Sequence, residues 1–290
     1  VAAGVGGLGV IREAASPDAP AIEAFLAEYP DTSMFLRSNL AAHGVGLGDN
    51  DHSTRFFIWG ADHIQGVFGL TKKGYLMAQL PDCSPQAARA FAGQIAGQTV
   101  LGMTGAAPQV AVTLNALGFG QADYRLHHDE PLYRLDLHEV PKAQIPFRGL
   151  SEADRPLLTP WFADYFEDTG QAKGQEALDM APDRITTDIQ SGRAIVMLEG
   201  DAPVAMAAIN ASVHDQVQVG GVFVPRENRN RGLGRRVTTA LLQKARTEGA
   251  NTAILFANNP PAARAYEAMG FQQVGWYRIA LLENPQEALK

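Results

Sequence analysis

The stretch Val222-Phe223-Val224-Pro225-Arg226-Glu227-Asn228-Arg229-Asn230-Arg231-Gly232-Leu233-Gly234-Arg235-Arg236 decides how this chain is read. A β-rich run ends at Pro225, and an amphipathic helix opens at Gly234 with Val237, Leu241 and Ala245 on one face. Between them, two glycines let the backbone turn tightly and bring successive N–H groups toward one point. The start of the helix adds unpaired donors and a partial positive charge, which together make an anion site. From Arg226 to Arg246 there are seven Lys/Arg and one acid, in a chain whose 24 Lys+Arg and 31 Asp+Glu give a net charge of −7. A basic helix alone is only a solvated face. Strand, glycines and helix entry in register point instead to a phosphate-bearing ligand. The Walker pattern Gly-x-x-x-x-Gly-Lys-Ser/Thr is missing, which argues against nucleotide hydrolysis.

Working outward, the second half alternates strands and helices. A strand is expected over 145–149, and Ser151 caps a helix carrying Leu157, Trp161, Phe162 and Tyr165. A second helix runs over about 176–190 and stops at Gly192. Strands follow over 193–198 and 203–212, with Glu199-Gly200-Asp201 as their hairpin turn, and a long one over 216–224. The helix after the loop stops at Gly249. A buried strand over 252–257, a short helix over 260–269 ended by Gly270, and a strand over 271–282 close the chain. The first half gives the same sketch: a helix over 19–40, strands over 55–59, 64–71 and 75–80, a helix over 86–95, a strand over 99–104, a helix over 108–116 and a strand over 132–137.

The halves echo each other at an offset of 152. Residues 107–119 (APQVAVTLNALGF) lie over 259–271 (NPPAARAYEAMGF), matching at Pro108/Pro260, Ala111/Ala263, Ala116/Ala268, Gly118/Gly270 and Phe119/Phe271. Two homologous modules are expected, 1–140 and 141–290, with a boundary near Val140-Pro141-Lys142 and a flexible tail at 1–9. That tail contains Gly4-x-Gly6-x-x-Gly9, the letters of a dinucleotide fingerprint. Only three residues precede it and a strand start follows it, so the required strand–turn–helix context is wrong. Gly44-Val45-Gly46-Leu47-Gly48 reads as a loop.

The pattern Arg229-x-x-Gly232-x-Gly234 resembles the acyl-CoA pyrophosphate loop of the GNAT N-acetyltransferase superfamily. A second stretch, Asn259-x-x-Ala262-x-x-x-Tyr266-x-x-x-Gly270-Phe271, resembles that family's later motif on the next helix. The resemblance covers about residues 144–284 well and the first half in outline. It implies an α/β (α+β) fold of two tandem modules, each a mixed, mostly antiparallel sheet flanked by helices, with the fourth and fifth strands splayed around acyl-CoA. It further implies an acetyl-CoA-dependent N-acetyltransferase that transfers an acyl group to a primary amine by direct attack in a ternary complex, without a metal. Backbone groups at Val222, Phe223 and Val224 would pair with the pantetheine arm like an extra strand. Amides of Arg229, Asn230, Arg231, Gly232, Leu233, Gly234 and Arg235 would hold the pyrophosphate. Asn259, with Ala262 in the same motif, would meet the pantetheine region; Asn259 reads equally as a helix cap before Pro260. Tyr266 would sit by the thioester sulfur and protonate the leaving thiolate as general acid. Without the motif around it, Tyr266 is a core tyrosine.

The general base is not legible. Family members often place a carboxylate on the fourth strand, but Gln216-Val217-Gln218-Val219-Gly220-Gly221-Val222-Phe223 has none. Glu227 balances the arginines, and His214-Asp215 reads as a turn. A water chain with backbone acceptors is the default. In this family the acceptor lies against the first helices, where Asp164, Glu167 and Asp168 stand beside Trp161, Tyr165 and Phe166. Those residues fit either a site for a cationic amine or a solvated helix face. A non-catalytic acyl-CoA sensor of the same fold, and transfer of another unit such as an aminoacyl group, stay open beside the acetyltransferase reading.

At the same offset the first half has Ala107 where Asn259 stands and Leu114 where Tyr266 stands. Its loop reads Pro81-Asp82-Cys83-Ser84-Pro85, with a carboxylate where phosphate would be held. The first module is expected to keep the fold without the acyl-CoA site. Cys83, at a helix start, could have a lowered pKa, but as a lone cysteine it is assigned no role. As the single cysteine it excludes an internal disulfide framework and a multi-cysteine metal site, in keeping with a reducing cytoplasm. The acidic balance argues against nucleic acid as a partner. No apolar run is long enough to span a membrane, and no signal peptide is expected. A monomer or homodimer is expected, with a small-molecule or peptide amine as acceptor.

Overall fold

The computed structural model describes residues 9–289. The N-terminal tail, with Gly4 and Gly6 of the rejected fingerprint, lies outside the described residues save Gly9. The elements in chain order are β1 (Val10–Glu13), α1 (Ala19–Ala27), α2 (Met34–His43), β2 (Thr54–Gly60), β3 (Ile64–Thr71), β4 (Tyr75–Gln79), α3 (Pro85–Gln94), β5 (Thr99–Ala106), α4 (Ala107–Ala116) and β6 (Tyr124–Asp136). The same succession then repeats: β7 (Phe147–Gly149), α5 (Arg155–Asp168), α6 (Gln175–Ser191), β8 (Ala194–Glu199), β9 (Ala202–Val213), β10 (Gln216–Phe223), α7 (Leu233–Thr247), β11 (Thr252–Phe256), α8 (Pro260–Glu267) and β12 (Gln272–Glu287). The fold is mixed α/β with mostly antiparallel sheets flanked by helices, in two tandem modules of like design.

Contacts gather the chain into two compact units. One runs to Glu130 and takes in the chain from Trp276 onward; the other is Pro131–Gly275. These units depart from the linear division at 140/141 in two places, and the reason is where the long strands bury their side chains. Residues 132–136 of β6 pair antiparallel with β11, and Tyr133 and Leu135 enter the second unit's core. Tyr277–Leu281 of β12, and after a register shift Gln286 and Glu287, pair antiparallel with β5, and Ala280 and Leu282 enter the first unit's core.

In the first unit β1, β2, β3 and β4 pair antiparallel, and β4 runs parallel to β5. Alternation along β2 serves both faces. Phe56 and Ile58 pack with Ile22, Leu26, Leu36 and Leu40 of α1 and α2, while Phe57 and Trp59 lie in the cluster with Phe91, Val110 and Leu114 of α3 and α4. The helix expected over 19–40 is two helices. Pro30 has no N–H to give and disfavours the helical region for Tyr29, so the chain turns before Met34.

In the second unit β7, β8, β9 and β10 pair antiparallel and β10 runs parallel to β11. Phe162, Phe166, Ala177 and Ile185 of α5 and α6 pack with Val196, Met206 and Phe223. Leu233, Val237, Leu241 and Ala245 of α7 pack on the opposite face with Val217, Val219, Ala253 and Leu255. Burying each such Leu or Val contributes roughly 1.5–3 kcal/mol, so α7 is firmly seated.

The echo at offset 152 is geometric as well. α4 and α8 each follow a central strand and end on a glycine in the left-handed region, Gly118 (φ +79°) and Gly270 (φ +96°). The Gly118 N–H donates to the Asn115 carbonyl and Phe119 N–H to that of Leu114; Gly270 donates to Glu267 and Phe271 to Tyr266. Both are Schellman motifs, in which a residue without Cβ takes the left-handed turn at no steric cost.

Candidate functional site

The site begins with two strands that part company. β10 and β11 are in parallel register from Gln216↔Thr252 to Val219↔Leu255, and no further. β11 ends one residue later, whereas β10 continues to Phe223. Just past the last pair the register of β10 with β9 also shifts, between Gly220 and Phe223, with Gly221 at φ +57°. A bulge of this kind bends a strand and strengthens its twist. The backbone from Gly220 onward therefore has no β11 partner. Val222 and Val224 are half-buried against the α7–α8 side of the sheet, and Phe223 is in the core facing Trp161, with ring centroids 6.1 Å apart.

The loop after β10 brings the chain to the head of α7. A single 3-10 turn spans Arg226–Asn228, Asn230 is left-handed (φ +63°), and Gly232 (φ +72°, ψ +12°) is the helix cap. The first helical turn closes with the Arg236 N–H on the Gly232 carbonyl, so the N–H groups of Leu233, Gly234 and Arg235 lie ahead of it. No side chain caps this helix. A Cβ built on Gly234 would find only Val224 within 4 Å, at 3.8 Å. Uncapped donors, space and helix polarity suit this head, past the end of β10 that β11 does not reach, to an anion.

Residues 156–271 match the acetyltransferase (GNAT) family model. The second unit carries a GNAT domain. No curated protein matches the chain in sequence. Solved structures match nearly its whole length in fold. A Drosophila protein aligns with TM-score 0.63 at 12% identity, over 96% of this chain and 100% of its own. A GCN5-related N-acetyltransferase from Sphaerobacter thermophilus aligns with TM-score 0.56 at 15% identity, over 97% and 96%. A tandem GNAT protein from the clavulanic acid biosynthesis pathway aligns with TM-score 0.51 at 12% identity, over 98% and 99%. At these identities the likeness is one of fold.

Within the GNAT unit, the loop arginines are largely held by carboxylates. Arg229 pairs with Asp168 at the end of α5, donates from Nε to the Val224 carbonyl at 3.0 Å, and lies over the Phe223 ring at 5.8 Å. Glu199, the last residue of β8, receives Arg231 at 2.7 Å and Arg236 at 3.3 Å, and the Arg231 bond holds its carboxyl below the usual range. The sequence showed a hairpin turn at Glu199 but not its tie to the loop. Arg231, Gly232, Arg235 and Arg236 also line a 720 Å³ cavity bounded by residues 139–145 and by Ala268–Gly270. Only the assembled unit brings these segments together.

The second motif caps as expected: the Ala262 N–H donates to Asn259 Oδ1 at 2.9 Å at the start of α8. Tyr266 is half-buried, with its ring edge-on to Phe271 at 5.8 Å. α8 is tied to the sheet through its neighbour Glu267, which accepts from the Tyr133 hydroxyl at 2.7 Å. Burial, then that carboxylate, pushes the Tyr133 phenol up to about 12.

Other sequence expectations are rearranged. Of the three acids considered for a cationic amine, Asp168 is spent on Arg229, and Glu167 accepts from the Gly174 N–H at 2.8 Å. Trp161 and Phe166 are in the core, not on an open face. His214 (φ +48°) is the turn between β9 and β10, as read. It stands seven residues before Gly221, roughly 20 Å along an extended strand, too far to act as base there. Burial, then Asp82, pushes the Cys83 thiol up, opposite to the lowered pKa considered for it. Among the described residues no His/Cys/Asp/Glu group could hold a metal ion, and no helix is long and apolar enough to cross a membrane.

Proposed function

We propose that the chain is an acetyl-CoA-dependent N-acetyltransferase acting on a primary amine by direct attack in a ternary complex. The observation that carries this is that β10 runs on past its last pair with β11, and a short loop then leads to the glycine-capped head of α7, which no side chain caps. The β10 backbone at Val222–Val224 pairs with the pantetheine amides, and the N–H groups from Arg229 to Arg235 hold the pyrophosphate. Asn259 and Ala262 flank the pantetheine, Asn259 through its amide while its Oδ1 caps α8. The cavity beside Arg231 and Arg235 takes the nucleotide end.

The amine lone pair forms the new C–N bond, the thioester C–S bond breaks toward sulfur, and the Tyr266 phenol gives its proton to the departing thiolate. The amine's surplus proton leaves through water. β10 has no carboxylate, which supports water in that role and also favours a second reading, an acyl-CoA sensor without turnover. Calorimetric titration with acetyl-CoA, with Gly234→Asp beside it and a thiol-release assay over amines, tests both. Binding lost in the variant together with amine-dependent thiol release supports the enzyme; binding without release on any amine supports the sensor; no binding removes both.

The first unit is proposed to be a module without an acyl-CoA site. In support, its Leu80 N–H, at the end of β4, donates to the buried Gln109 Oε1 at 2.7 Å. Ser84 caps α3 by accepting from the Ala87 N–H at 3.2 Å, and Asp82 adds negative charge to the entry. Protein groups thus occupy donors that the GNAT unit leaves bare.

A further inference from the structure

Around the Gly220–Gly221 bulge, on the side of β10 that α5 and α6 cover, three polar side chains converge. The Gly221 N–H donates to Tyr165 Oη at 3.3 Å, which leaves the phenol's own proton to be given elsewhere. Arg184 of α6 donates from Nε to Asp188 Oδ2 and from Nη2 to Asn210 Oδ1, both at 2.8 Å, with its guanidinium 5.6 Å from the Phe162 ring centroid. These contacts fix the plane of the guanidinium and use two of its five N–H donors. Asn210, its oxygen occupied, presents its Nδ2 donors. The two glycines make room: a Cβ at Gly220 would lie 1.9 Å from Asn210 Nδ2, and one at Gly221 would lie 3.3 Å from Arg184 Nη2.

We infer that the acceptor is an amine bearing a carboxylate, and that Arg184, Asn210 and Tyr165 hold that carboxylate beside the bulge. This rests on the acetyltransferase reading above. The N–H and O–H groups that these contacts leave over are donors, the complement of an oxyanion. Charge selects which one. Arg184 is balanced by Asp188, which is 4% exposed, so the cluster is near neutral and suits a singly charged carboxylate better than a phosphate dianion. Nor does neutralising Asp188 account for Arg184. A guanidinium given over to one carboxylate closes on it with two bonds, as Arg148 does on Asp154 through Nη1 and Nη2, both at 2.7 Å. Arg184 instead meets Asp188 with Nε alone and turns its far end to the strand. The amine of such an acceptor attacks the thioester carbon, the C–S bond breaks, and the carboxylate is unchanged.

The test compares kcat/KM for amino acids with that for their amides and decarboxylated amines (phenylalanine, phenylalaninamide and phenethylamine as one set), with acetyl-CoA affinity measured by calorimetry on the same protein. The carboxylate-bearing member is expected to lead by about 10- to 100-fold, the range for a charge-assisted hydrogen bond. That lead collapses in Arg184→Gln and in Asn210→Asp, with acetyl-CoA affinity unchanged. Asn210 is exposed, so Asn210→Asp carries the test if the loss of Arg184 prevents folding. Equal turnover of all three members, no turnover of any amino acid by acetyl-CoA-binding protein, or a lead that survives in the folded variants overturns the inference alone. Failure to bind acetyl-CoA overturns the acetyltransferase reading and this with it.

Discussion

Arg229 ties the loop at the head of α7 to the end of α5, donating from Nη2 to Asp168 and from Nε to the Val224 carbonyl. The two side chains are 39% and 36% exposed, so the ion pair itself is worth less than about 1 kcal/mol. Asp168→Asn should therefore leave the melting temperature almost unchanged. Arg229→Ala also loses the carbonyl bond and the Phe223 contact, and should weaken acetyl-CoA binding by about 10-fold. Calorimetry on both variants reads this; equal losses would mean that the ion pair alone orders the loop.

Gly234 separates folding from binding. Its missing Cβ would meet only Val224 at 3.8 Å, and an acid in the first turn of a helix is favourable. Gly234→Asp is expected to melt at or slightly above the wild-type temperature while losing acetyl-CoA binding. Gly232→Ala, at φ +72°, should cost about 1 kcal/mol through the left-handed backbone. A Gly234→Asp protein that still binds acetyl-CoA would displace the pyrophosphate from the α7 head.

Tyr266→Phe keeps the edge-on contact with Phe271 and removes only the hydroxyl. Acetyl-CoA affinity should stay, and thiol release should slow by roughly 10- to 10⁴-fold. Unchanged turnover would return Tyr266 to the role of a packing residue.

Asp154 gives a pH signature. Two bonds from Arg148, with help from Ser151, hold its carboxyl down to about 2 from 3.8. A depressed folded-state pKa gives stability that is complete above the unfolded value near 3.8 and lost as the pH falls toward 2. Because Arg148 is 41% exposed, the contribution is about 1–2 kcal/mol. Asp154→Asn should lower stability by that amount at pH 7 and match wild type near pH 2, as read by chemical denaturation across pH.

Ending the chain at Gly275 removes the strand that pairs with β5 and takes Ala280 and Leu282 out of the first unit's core. A bare, apolar edge invites aggregation. Limited proteolysis should cut first within the first unit, while the GNAT unit keeps acetyl-CoA binding. An unchanged digestion pattern would show that the first unit stands without β12.

The elements of the GNAT unit were legible because each carries its own punctuation. Gly192, Gly200, Gly249 and Gly270 all take left-handed conformations where the sequence places stops and turns. The glycine-capped head of α7 was legible for the same reason, since glycines and a helix start act over a few adjacent residues. The break between α1 and α2 was legible in principle at Pro30, which cannot continue a helix.

What the sequence by itself determined was therefore local: the succession of elements, the echo at offset 152, the cap at Asn259 and the bare head of α7. Only the tertiary structure decided which strands β6 and β12 pair with, because pairing between distant segments leaves no local mark. It also decided the fate of the charges. Asp168 answers Arg229 across 61 residues, Glu199 answers Arg231 across 32, and Arg184 comes to lie beside Gly221. Such partners are fixed by which faces the core must bury, and a chain read residue by residue carries that information only as a whole.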